Sequence, residues 1–149
     1  MKELIMRKAK KDDLKDIISL YQQESMDNGK AISLTKANTL FAKMQGYPDY
    51  SIFVASTDTN EIVGVFCLLI MDNLGHSGTP SAIVEGVCVQ KNIQGKGIGR
   101  KMMSHAKVVA EQSGCYKLAL TSNINRHSAH HFYQSLGFKQ HGISFELIL

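Results

Sequence analysis

The sequence predicts a mixed α/β domain built around one sheet, and three observations carry that expectation. Apolar residues switch between a period of two and a period near 3.6 along the chain, so strands and helices interleave. Clusters of Gly, Pro, Asn and Asp separate these segments, with no linker, repeat or low-complexity stretch among them. The 149 residues, 44% hydrophobic and 20% charged, suit a single domain over 1–149 with a core of its own.

The elements follow in order. Residues 3–9 read as a short strand, after which Asp12 or Asp13 can cap a helix. Leu14, Ile17, Ile18 and Tyr21 recur on that helix at helical spacing, and Met26-Asp27-Asn28-Gly29 breaks it. A weaker helix over 35–44 stops at Gly46 and Pro48. Residues 51–56 and 62–71 are strands joined by the polar turn Thr57-Asp58-Thr59-Asn60. A loop over 72–80 leads to a strand over 81–89. The next helix opens at Gln94-Gly95-Lys96-Gly97-Ile98-Gly99 and has Ile98, Met102, Ala106, Val109 and Ala110 on one face. Gly114 ends it. A strand over 117–121, a helix over 128–136 ended by Gly137, and two last strands split near Gly142 complete the chain.

Composition removes several function classes. Lys and Arg outnumber Asp and Glu by 17 to 13, for a net charge of +4. That balance suits either a polyanionic small ligand or a merely basic surface. The basic residues form no long stripe and no zinc-finger or RNP pattern, so no nucleic-acid partner is expected. Cys67, Cys88 and Cys115 are isolated in apolar stretches, which argues against a disulfide framework and a zinc site and for reduced thiols. The N-terminus lacks a signal-peptide h-region, and the apolar run over 62–71 is about half a membrane span. A cytoplasmic protein without a membrane partner is the expectation. His127 and His131 are spaced i, i+4 as a metal pair can be, but no third ligand accompanies them, and no metal is expected.

The glycine-rich turn has a physical use. Glycines permit positive φ and close backbone approach, while a helix start offers unpaired N–H groups and the positive end of its dipole. Gly95, Gly97 and Gly99 directly after a strand therefore suit an anion, with Lys96 and Arg100 adding charge. A Rossmann fingerprint fails because Arg100 holds its third glycine position, and a Walker A loop fails because Gly97 follows Lys96.

The turn does match [RQ]-x-x-G-x-[GA], and in this it resembles the acetyl-CoA-binding motif of the GNAT family of N-acetyltransferases. A second stretch, Asn123-Ile124-Asn125-Arg126-His127-Ser128-Ala129-His130-His131-Phe132-Tyr133 with Leu136-Gly137-Phe138, resembles that family's other signature. The resemblance implies a mostly antiparallel sheet of about six or seven strands with a splayed central pair and about four helices. It also implies acetyl-CoA as cosubstrate, a small-molecule amine as acceptor and the option of a homodimer. The pyrophosphate contacts fall to Gln94, Gly95, Lys96, Gly97, Ile98, Gly99 and Arg100, and those to pantetheine to Val87, Cys88 and Val89. Asn125 and Ser128 are expected to contact pantetheine or the nucleotide. Arg126 stands where many members have Asn, and can reach a phosphate or face solvent.

In the resemblance Tyr133 protonates the departing CoA thiolate. It lies about 100° off the stripe of Ala129, Phe132 and Leu136, so it need not be core, and a packed aromatic is the alternative. Glu85, a carboxylate in the apolar strand Ala82-Ile83-Val84-Glu85-Gly86-Val87-Cys88-Val89, either receives the amine's proton or faces solvent. Strict alternation puts it on one face with Ile83, Val87 and Val89. No base is paired by sequence with Cys88, which favours direct transfer over an acetylated cysteine. A protein acetyltransferase and a non-catalytic CoA-binding module share these motifs. The Arg-x-x-Ala-His-x-Phe-Tyr pattern resembles members acting on small amines, including aminoalkylphosphonate and antibiotic acetyltransferases.

Overall fold

A computed structural model describes residues 4–23 and 29–149, whose contacts form two compact units, Met1–Ala119 and Leu120–Leu149. In the first, strand β1 (Ile5–Lys8) leads through one 3-10 turn (Lys11–Asp13) into helix α1 (Leu14–Gln23). Helix α2 (Leu34–Gln45), strands β2 (Tyr50–Ser56), β3 (Ile62–Met71) and β4 (Ser81–Val89), helix α3 (Ile98–Gln112) and strand β5 (Leu118–Leu120) follow. The second unit carries helix α4 (His127–Ser135). The predicted break at Met26-Asp27-Asn28 lies outside the described residues, and the 72–80 loop contains a single 3-10 turn, His76–Gly78.

The entry to α1 is fixed electrostatically. Asp13 accepts a forked pair of bonds from Arg7 on β1, Nη1 to Oδ2 at 2.6 Å and Nη2 to Oδ1 at 2.9 Å. It also accepts the Lys10 N–H at 2.7 Å. Hydrogen bonding from Arg7 holds the Asp13 carboxyl below its usual range, against the opposing pull of burial. Helices α3 and α4 end alike. Gly114 and Gly137 take φ of +73° and +91°, and the following residues donate back to Ala110 and Tyr133, which closes the last carbonyls of each helix.

The sheet order is β1-β2-β3-β4-β5, with β1–β2, β2–β3 and β3–β4 antiparallel. One face packs α1: Ile17 and Leu20 meet Val54, Ile62, Val65 and Cys88. On the other, Phe53 stacks on its cross-strand partner Phe66 at 5.3 Å and meets His105 of α3 edge-on at 5.1 Å. Helix α3 sits close against β3 because Gly64 has no side chain; a Cβ there would lie 2.6 Å from Met102 Sδ.

Five strands form among the described residues, fewer than the six or seven expected. The two strands expected after Phe138 are absent, and residues 139–149 carry no ladder. Ile143, Phe145, Leu147 and Leu149 alternate as strand residues do, yet all four are exposed. Alternation supplies a face, but a strand exists only through hydrogen bonds to a partner.

Candidate active site

The site in the first unit is built from β4 and the start of α3. Gly95 and Gly97 both adopt left-handed backbone, φ +77° and +83°, and among the described residues no atom lies within 4 Å of where a Cβ would stand. Positive φ is what demands glycine there, while the space above stays open. Gly97 is the N-cap of α3 and brings no capping side chain. The first turn reads Ile98-Gly99-Arg100-Lys101, two cations without a carboxylate, at the positive end of the helix dipole. Ile98 is buried and anchors the turn to the core. Gln94 Nε2 donates to the Val89 carbonyl at 3.0 Å, tying the turn to the end of β4. Lys96 is exposed and borders a cavity of ≈ 280 Å³ with Thr57, Glu61, Gln90 and Asn92.

Strand β4 departs from simple alternation. Val65 pairs with Cys88 and Cys67 with Glu85, so Gly86 and Val87 together oppose Phe66 alone, a β-bulge. Val65 and Cys67 share a face of β3, and cross-strand partners share a face. Glu85 and Cys88 therefore face α1 together. The expected grouping of Glu85 with Val87 and Val89 is overturned by the extra residue. Cys88 is buried and its Sγ donates to Leu20 O at 3.3 Å, so any contact it makes along the open edge is through its backbone. Val87 and Val89 are half-buried. Strand β5 has three residues against nine in β4.

The bulge gathers side chains that sequence reasoning missed. The Tyr21 hydroxyl of α1 donates to Gly86 O at 2.9 Å. Burial pushes the Cys67 thiol up, with the Tyr50 and Tyr21 hydroxyls close enough to oppose the shift and Glu85 adding to it. Burial pushes both tyrosine hydroxyls up, so they remain protonated donors. Tyr21 sits on the apolar stripe of α1, which disguised it as core. The one available signal was Gly86, a glycine inside a strand pattern.

In the second unit, the Asn125 N–H donates to Asn123 Oδ1 at 2.9 Å in the turn before α4, and Ser128 is exposed in its first turn. Tyr133 is half-buried between Phe132 and Phe138, at ring distances of 5.1 and 5.8 Å. Burial raises its hydroxyl above the usual tyrosine value, opposed in part by Arg126. His130 Nε2 engages Asn123 O at 2.9 Å. Among the described residues no three of His, Cys, Asp and Glu gather as a metal site, and no helix is long and apolar enough to cross a membrane.

Comparisons with known proteins bear on the family of the chain. The sequence profile of the Acetyltransferase (GNAT) family matches residues 8–138. A putative acetyltransferase from Agrobacterium tumefaciens superposes with a TM-score of 0.90 at 31% identity, covering 97% of this chain and 99% of that one. A probable glucosamine 6-phosphate N-acetyltransferase of Drosophila melanogaster is 31% identical over 72% of this chain and 48% of its own length. The aminoalkylphosphonate N-acetyltransferase of Salmonella typhimurium is 35% identical over 54% of this chain and 51% of its own. The chain thus spans about half the length of these two curated relatives. The profile match over most of the chain and the mixed α/β sheet with its glycine turn lead to one conclusion: the chain belongs to the acetyltransferase (GNAT) family.

Proposed function

We propose that the protein transfers an acetyl group from acetyl-CoA directly to a primary amine on a small molecule. The observation that carries this reading is the paired left-handed glycines, Gly95 and Gly97, opening α3 beneath clear space. Such a cradle suits the pyrophosphate, with Gln94 to Arg100 around it; Val87, Cys88 and Val89 are assigned to pantetheine, and Asn125 and Ser128 to pantetheine or the nucleotide. When bound, acetyl-CoA supplies an acetyl group activated as a thioester. Glu85 is assigned to the acceptor's ammonium proton and Tyr133 to proton delivery at the departing sulfur. Its raised pKa keeps Tyr133 protonated through neutral pH.

Relatives named for glucosamine 6-phosphate, aminoalkylphosphonate and aminoglycoside N-acetylation support a small acceptor. The test is thiol release from acetyl-CoA with these three acceptor classes and a peptide. Release is expected with at least one small amine and not with the peptide, and Tyr133→Phe should lower kcat about a hundredfold. Unchanged turnover in that variant removes the acid assignment. CoA binding without release by wild type leaves the non-catalytic module.

A further inference from the structure

We propose that Tyr21 is a positioning residue for acetyl transfer, its hydroxyl bond to the Gly86 carbonyl holding the β4 bulge that turns Glu85 towards α1. The inference rests on the function proposed above and adds to it a residue that touches no reacting atom.

Three observations converge on it. The bond is made at 2.9 Å between residues 65 positions apart, from a helix to the one irregular point of the β3–β4 ladder. Gly86 has φ +60°, and a Cβ there would lie 2.7 Å from the Tyr21 hydroxyl, so absence of a side chain and presence of the hydroxyl are fitted to each other. Cys67, the cross-strand partner of Glu85, lies within electrostatic range of the same hydroxyl, so the oxygen stands beside both strands at the register of the carboxylate.

Consequences follow from the ladder. A bulged residue pair is held only where something satisfies the backbone groups that leave the regular pattern. Without the Tyr21 hydroxyl, the Gly86 carbonyl loses its partner from α1, and the peptide units on either side gain freedom to relax. Glu85 precedes that unit and Val87 follows it, so the carboxylate and the open edge shift together. The glycine turn is anchored separately, through Ile98 and the Gln94–Val89 bond.

The test is Tyr21→Phe, which keeps the packed ring and removes only the O–H. Steady-state rates would be measured with acetyl-CoA and an amine that wild type accepts, with kcat expressed per CoA-binding site from equilibrium titration. Counting sites in this way confines the readout to folded protein. The expected result is a kcat lowered tenfold or more, about what a misplacement remote from the chemistry costs, with the acetyl-CoA KM changed less than kcat. A kcat loss below fivefold, or a KM effect as large as the kcat effect, overturns the inference. Silence of wild type with every amine sinks the function it rests on, whereas equal turnover by wild type and variant sinks the inference alone.

Discussion

Several glycines of the first unit have positive φ, and Gly86 differs from the pair Gly95 and Gly97 in what lies beyond the missing side chain. At Gly95 and Gly97 there is open space; at Gly86 there is the hydroxyl of Tyr21. Both distort regular backbone, but one distortion faces open space and the other is filled by the protein itself. Under the function proposed above, loss of a turn glycine that faces space should appear first in ligand affinity. A glycine facing a buried donor is an architectural feature whose loss should appear first in stability.

Gly86→Ala should have the largest effect. Left-handed backbone costs an alanine about 1–2 kcal/mol, and the 2.7 Å approach to the Tyr21 hydroxyl adds an overpacking term. We expect a total loss of about 2–4 kcal/mol in urea unfolding. The loss should shrink in a Tyr21→Phe background, because the atom in the way is gone. An equal loss in both backgrounds breaks the contrast. Gly97→Ala should cost only the backbone term, about 1–2 kcal/mol, but raise the KM for acetyl-CoA on the order of tenfold as N–H groups leave their aim. A Gly97→Ala enzyme with unchanged KM would return the glycine turn to mere chain geometry.

The smallest effect belongs to a site that touches neither glycine. Asp13 has its pKa lowered in the folded state, chiefly by the hydrogen bond from Arg7. Its contribution is fully present above the unfolded carboxylate value of about 3.9 and is lost as pH falls through the lower folded value. Asp13→Asn should therefore cost about 1 kcal/mol at neutral pH and flatten the stability curve at the acid end, measured by thermal unfolding against pH. Unaltered acid sensitivity would show that the Arg7–Asp13 fork contributes nothing measurable.

Much of this was legible in the chain. The ends of β3 and β4 and the start of α3 match their periodicities, since apolar alternation and glycine punctuation are local signals. The left-handed backbone of the glycine turn was readable for the same reason. The bulge was not, because alternation counts residues along one strand, whereas a bulge is a mismatch between two. Tyr21 and Cys67 read as apolar-stretch residues, and their placement beside Gly86 and Glu85 needs strand register and helix placement together. The last two strands, expected around Gly142, found no ladder partner among the described residues.

The sequence by itself determined the mixed α/β order, the family and the phosphate-suited turn, because each depends on residues within one short segment. Only the tertiary structure decided which way Glu85 faces, that Cys88 is buried with its thiol on Leu20, and that Tyr21 grips Gly86. Those outcomes turn on one extra residue in β4 measured against β3, and on a helix 65 positions away supplying the hydroxyl that fits the gap.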